Sequence, residues 1–241
     1  MISNNETLGM SCEQAICEIF DQYDAIDEKR YNRNTVDELK SIVKKFLDDN
    51  SHDIKLNYVG GKGNLIDFKD LGNKTYSIKT NNIKGNMVCP QDIGQSTRSK
   101  FNEKLYQKIS NDEDPDYELS DDTIRKFITQ NPHKLFVEYF KKLFCCDYLL
   151  HVKCNKLTNN NTFEKYNITM HQKLFLNYTN IKDDKIIFTN QTNNWKSNTM
   201  KIQVKNEYIS IGEFQIHTSR NSIKFRFNFP NLLKYYATKI I

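Results

Sequence analysis

An aspartate and a lysine stand on the two arms of one short hairpin in the first third of the chain. In 64-NLIDFKDLGNKTYSIKTNN-82, strands are expected over about 64–70 and 74–81, joined at Gly72-Asn73. Side chains two apart on a strand share a face, so Ser77 and Lys79 point one way and Tyr76 and Ile78 the other. With Tyr76 and Ile78 in the core, Ser77 and Lys79 face a cleft, and Asp67 sits beside them on the neighbouring strand. A carboxylate there suits Mg2+, a hard cation that prefers oxygen donors and water. The cation would polarise a phosphate and acidify a bound water, while the lysine would orient that water and offset the growing negative charge. These residue types fit hydrolysis of a phosphodiester.

A second polar set lies near the C-terminus. In 212-GEFQIHTSRNSIKFRFNF-229, Gln215, His217, Arg220, Lys224 and Arg226 are set into a ribbon anchored by Phe214, Ile216, Phe225, Phe227 and Phe229. A β-ribbon fits the major groove of DNA, where Arg or Lys pairs with guanine and Gln with adenine. The alternative is an amphipathic edge hairpin with its polar side in water. The loop 80-TNNIKGNMVCPQDIGQ-95 directly follows the lysine strand and offers Lys84, Asn86, Gln91 and Gln95, side chains able to read base edges.

The elements that must position these groups follow from periodicity. A helix is expected over 11–21 with Ser11 as its N-cap, and an amphipathic helix over 35–47 capped by Asn34 or Thr35. Residues 54–65 pass from a strand pattern into a glycine-rich turn, and 82–97 reads as a structured loop. Helices are expected over about 97–110 and 121–129, and another opens at Asn131-Pro132. From Asp147 onward the pattern is strands: 147–155, 166–170, 173–179, 185–190, 201–212, 213–219 and 223–229. That order predicts a single α/β or α+β domain over 1–241, a central mixed β-sheet flanked by helices with a strand-rich C-terminal half. Within it the catalytic core would span about 11–110 and the DNA-recognition part about 147–241.

Composition bounds the rest. The 241 residues carry a formal net charge of +5, and aromatics make up 12% of the chain, enough to exclude a disordered polyampholyte. The run 111–122 is acidic, so basic residues are in excess elsewhere, notably after Glu213, which suits a polyanionic partner. Six cysteines without a CxxC pair argue against structural zinc and for reduced, buried thiols. The N-terminus lacks the basic start and apolar run of a signal peptide, and no apolar stretch is long enough to span a bilayer, so a cytoplasmic protein without membrane contact is expected. The five histidines show no ligand spacing, and 60-GGKG-63 lacks the Ser or Thr of a phosphate-binding loop.

Asp67 and 77-SIK-79 together resemble the core motif of the PD-(D/E)xK superfamily, and the chain is similar in size to the small MspI-like type II restriction endonucleases. Serine occupies the acidic slot, a departure that some MspI-like members share. The resemblance implies a restriction-endonuclease-like core, with Asp67 binding Mg2+ through its carboxylate and Ile78 through its backbone carbonyl. Lys79 would orient the attacking water and Ser77 would contact the metal or its water. Some members add a glutamate from the preceding helix, so Glu13, or else Asp70, would restore the charge missing at Ser77. In MspI-like enzymes the segment equivalent to 80–95 enters the DNA groove, and their C-terminal strands resemble 212–229. The implied activity is Mg2+-dependent cleavage of double-stranded DNA at a short palindromic site, leaving 5′-phosphate and 3′-hydroxyl ends. A cognate DNA methyltransferase would accompany it, and either a monomer or a homodimer would act on the duplex. Two alternatives stay open: a nuclease of the same core with little sequence preference, and a catalytically silent DNA-binding protein.

Overall fold

The computed structural model describes residues 5–50, 54–61, 64–110, 119–155, 163, 165–181, 184–192 and 194–238. Its first elements are helices α1 (Asn5–Ile19) and α2 (Arg33–Asn50) and strands β1 (Leu56–Tyr58), β2 (Phe68–Asp70) and β3 (Thr75–Asn82). Strands β4 (Met87–Val88) and β5 (Gln95–Thr97) follow, then α3 (Arg98–Phe101), a π turn at Asn102–Tyr106, and α4 (Gln107–Ser110). Next come α5 (Asp121–Gln130), α6 (Pro132–Leu143), β6 (Tyr148–Cys154), β7 (Tyr166–Gln172) and α7 (Tyr178–Ile181). The chain continues through β8 (Ile186–Phe188), β9 (Ser197–Val204), β10 (Glu207–His217) and β11 (Ser222–Asn228) to α8 (Phe229–Ala237).

Two compact units result, Met1–Gly85 with Cys145–Lys173, and Asn86–Phe144 with Leu174–Ile241. The expected catalytic segment 11–110 and recognition segment 147–241 therefore each contribute to both. The first unit holds a five-stranded sheet ordered β1-β2-β3-β6-β7. Its β3/β6 pair is parallel, with Lys79 opposite His151, and its other pairs are antiparallel. A parallel pair cannot close through a tight turn; here the chain between Gly85 and Cys145 makes the connection. Helices α1 and α2 cover one face, where Cys12, Ala15, Ile16, Val36, Leu39 and Val43 pack with Phe68, Tyr76, Ile78, Leu150 and Val152. Burying Tyr76 and Ile78 there sends their β3 neighbours Ser77 and Lys79 to the opposite side.

The second unit holds a six-stranded antiparallel sheet ordered β4-β11-β10-β9-β8, with β5 also paired to β11. Its core is aromatic. Phe136 and Tyr139 of α6 meet Phe214, Phe225 and Phe227 of the sheet with ring centroids 4.3–5.8 Å apart. Such pairs add specificity of geometry to the area they bury.

Several expectations need correction. There are two sheets rather than one. Helix α1 begins six residues before Ser11, whose hydroxyl donates to the Thr7 carbonyl (2.7 Å) instead of capping. The side chain of Asn32, not of Asn34 or Thr35, accepts from Thr35 N (3.0 Å) at the start of α2. Residues 173–179 form no strand and lead into α7. Within 82–97, β4 and β5 take strand form because β11 offers them backbone partners. Helix α8 departs from the strand pattern at Phe229, where Pro230 opens it and Asn228 caps it.

Candidate active site

Asp67 is fixed from both sides by its backbone. Its N–H donates to the Tyr76 carbonyl (2.9 Å), and its carbonyl accepts from Val59 N (2.9 Å) and Gly60 N (3.0 Å). The carboxylate is held at one oxygen: Oδ2 accepts from Ser77 Oγ (3.0 Å) and Ile78 N (2.7 Å). The residue keeps partial exposure, yet loss of hydration raises its pKa above the usual carboxylate range, against the pull of Lys79 and the two hydrogen bonds.

Glu13 reaches the same place from α1. It is buried, 7% exposed, and not the solvent-facing helix residue that its sequence neighbours would allow. Desolvation first, and the Asp67 charge second, push its pKa up to about 8, while Lys79, Arg30 and a hydrogen bond from Tyr58 act in the opposite direction. Tyr58 donates to Glu13 Oε2 at 3.5 Å. Burial first, with the Glu13 charge as a smaller contribution, lifts the thiols of Cys12 and Cys17, the latter to about 12. Two carboxylates thus share a poorly hydrated site in which Lys79 is the largest favourable charge.

Ser77 is fully buried, so its hydroxyl orients Asp67. Ile78 contributes its N–H to that carboxylate and its side chain to the core. Asp70 lies elsewhere, accepting from Tyr76 Oη (3.0 Å) and Lys74 N (2.9 Å) at the hairpin turn. Among the described residues no group of three or more His, Cys, Asp or Glu is placed to hold a metal. The gathered oxygen donors are the two carboxylates, with Asp67 Oδ1 and Glu13 Oε1 clear of the hydrogen bonds above.

Two participants escape the sequence pattern. Tyr58 reaches Glu13 from β1, and His151 is paired in register with Lys79. His151 Nε2 bonds Asn81 Oδ1 (2.8 Å), and burial lowers its pKa to about 4, so a neutral imidazole adjoins the lysine strand. Strand pairing across seventy residues gave no local signal.

In the second unit, register assembles a polar face. Gln95, Lys224, Gln215 and Ser197 form one row across β5, β11, β10 and β9. Arg226, Glu213 and Thr199 form the next, and His217 faces Ser222. The opposite face carries Phe214, Ile216, Phe225 and Phe227, all buried. Arg220 is exposed in the turn at Thr218–Arg220, where Thr218 Oγ1 donates to Asp121 Oδ2 (2.8 Å). Gln91 is half-buried in the loop before β5, and Asn86 is exposed with its carbonyl accepting from Phe229 N (2.8 Å). Lys84 is exposed on the first unit, just after β3. Trp195 is buried, so its ring belongs to the core. Asp121 opens α5, and Arg98 and Arg125 both pair with it. The acidic run 111–118 lies outside the described residues.

Among the described residues no helix is long and apolar enough to cross a membrane. No family model matches the chain, and no solved structure matches it. The chain is 32% identical over 232 residues, 95% of its length, to the protein named Type II restriction enzyme CviAII of Paramecium bursaria Chlorella virus 1, and it spans 59% of that relative's length.

Proposed function

We propose that this chain is an endodeoxyribonuclease that cuts double-stranded DNA at a short specific site with the aid of a divalent cation, Mg2+ being the expected one. The observation that carries the reading is the convergence of Glu13, Asp67 and Lys79 in one desolvated site. Similarity to a protein named as a type II restriction enzyme supports it from a separate direction. The hairpin β2/β3, with Ser77-Ile78-Lys79 in the (D/E)xK frame and α1 supplying a glutamate, favours a PD-(D/E)xK type of site.

The donor set fits the cation. Two carboxylates with raised proton affinity, each keeping one oxygen clear, gain from a divalent charge what desolvation costs them. Glu13 and Asp67 would hold it, with the Ile78 carbonyl as a further oxygen donor. When bound, such a cation acidifies water and polarises the scissile phosphate. Asp67 is kept in one rotamer by Ser77 and by the Ile78 N–H. Lys79 would orient the attacking water and offset charge developing on the phosphate oxygens. Glu13 would hold a proton in the absence of the cation and release it on loading.

In the second unit the face carrying Gln95, Gln215, His217, Lys224 and Arg226, with Arg220, Gln91 and Asn86, would contact the DNA, and in the first unit Lys84 would offer a further contact. The test is a digest of linear duplex DNA of known sequence with and without Mg2+. Discrete fragments that appear only with the cation support the reading. A smear would indicate a nuclease without sequence preference, and intact DNA with retarded mobility a silent binding protein.

A further inference from the structure

Glu213 is the only carboxylate between Tyr208 and Ile241, and it stands in the middle of the polar face. Its Oε1 accepts from Gln215 Nε2 on the same strand. The same oxygen lies 3.7 Å from Arg226 Nη2, on the residue paired with Glu213 across β10/β11. One oxygen thus ties together an amide and a guanidinium from adjacent strands. Both side chains of the ion pair are about one-quarter exposed, 27% for Glu213 and 26% for Arg226, so the assembly is open on one side.

A carboxylate on a surface meant for DNA costs attraction, because it faces phosphates with its own negative charge. Stability offers weak compensation, since a partly exposed ion pair at 3.7 Å contributes little. Its geometric effect is larger. Arg226 is a long side chain with several rotamers, and bidentate reading of a base edge requires its fork to be held in one plane. Its Nε is buried and has no hydrogen-bond partner, so the carboxylate acts on the guanidinium from the Nη side. Gln215 has two amide orientations, and donating to Glu213 through Nε2 turns its Oε1 away from the carboxylate. The strands themselves do not drift, because the β10/β11 register runs unbroken from Gly212 to His217.

We propose that Glu213 is a positioning residue for sequence readout: it holds Arg226 and Gln215 in the one arrangement that discriminates between base pairs. The inference rests on the reading of this face as the DNA-recognition surface. Loss of the carboxylate would leave the cationic face free to bind phosphates and would release both readers. Specificity, not affinity for DNA as such, should fall.

The experiment is selection of bound duplexes from a random library in EDTA, compared for wild type, Glu213→Gln, Glu213→Asp and Glu207→Gln. The last removes an exposed carboxylate from the start of the same strand. Wild type should enrich a defined site, and both Glu213 variants should lower preference for it over single-base variants at least tenfold. Glu207→Gln should stay within twofold of wild type. On an Arg226→Ala background, Glu213→Gln should change discrimination by less than twofold, a non-additivity that a general structural role would not produce. Thermal melts identify any variant that fails to fold, and the other Glu213 variant then carries the comparison. Discrimination unchanged in a folded Glu213 variant, an equal loss in Glu207→Gln, or independent effects of Glu213 and Arg226 would each overturn the proposal. Wild type that selects a site but cuts nothing would sink the nuclease reading while Glu213 is still measured; wild type with no selected site would overturn the inference itself.

Discussion

Replacing Glu13 with glutamine should stabilise the cation-free protein, although it removes a proposed catalytic group. Glu13 is buried beside Asp67, and its pKa is raised from 4.5 to about 8. Because the folded form binds this proton more tightly than the unfolded chain, ionising Glu13 costs stability. The cost is absent below about pH 4.5, where both forms are protonated. It grows between 4.5 and 8 and is constant above that. At 1.36 kcal/mol per tenfold change in proton affinity, the difference reaches about 3 kcal/mol at pH 7, with a ceiling near 5 kcal/mol. For a chain of this size that corresponds to a rise in Tm of roughly 6–12 °C. Paired melts of wild type and Glu13→Gln in EDTA at pH 4.5, 6, 7 and 8 would show it, the two curves separating as pH rises. Added Mg2+ should then stabilise wild type more than the variant, because ligand binding to the folded state adds to its stability. A variant no more stable than wild type at pH 8 would refute the placement of Glu13 in a shared carboxylate site.

Other outcomes follow from the same geometry. Glu18 receives both Arg33 nitrogens (2.5 and 2.8 Å), and this pairing lowers its pKa to about 2. Glu18→Gln should therefore cost about 1–3 kcal/mol at pH 7, discounted because Arg33 is half exposed. Urea midpoints should show that cost shrinking between pH 4.5 and 2, where the wild-type carboxylate takes up its proton. A Cβ added at Gly94 would lie 2.3 Å from the Pro90 carbonyl oxygen, and Gly94 O accepts from Phe225 N (2.8 Å). Gly94→Ala should lower stability by about 1–3 kcal/mol in chemical denaturation, since backbone must move. Ser77→Ala leaves the Ile78 N–H on Asp67 Oδ2, so it should destabilise by about 1 kcal/mol and slow cleavage far less than removal of Asp67 itself.

The hairpins were legible in the sequence because alternation is a local signal. Phe214, Ile216, Phe225 and Phe227 alternate with polar residues in the sequence and occupy the buried face; Tyr76 and Ile78 do the same on β3. That Asp67 would meet the Ser77–Lys79 strand followed from the shortness of the turn, although Asp70 N–H closes it on the Lys74 carbonyl and leaves three residues, Leu71–Asn73, at the tip where two were expected. What sits beside that pair did not follow. Helical periodicity marks Glu13 as lying off the apolar stripe, but not whether a neighbouring strand closes over it. Tyr58 and His151 reach the site through pairings with distant segments, which local pattern cannot encode. The single expected sheet failed for a related reason: strand patterns count strands, whereas the split into two sheets depends on which backbone edges meet. Residues 173–179 carry Leu174, Leu176 and Tyr178 at strand spacing, yet 173–177 take no strand form and Tyr178 opens α7. The short strands β4 and β5 owe their form to β11 and would read as loop without it.

The most direct test of the central claim is single-turnover cleavage of a duplex of known sequence by wild type, Asp67→Ala and Lys79→Ala, with gel-shift binding measured in parallel without cation. If Asp67 and Lys79 form the hydrolytic site, wild type gives discrete Mg2+-dependent fragments, and each substitution lowers the rate by at least about 10²–10³-fold while DNA is still bound. Discrete cutting at an unchanged rate by both variants would contradict the account.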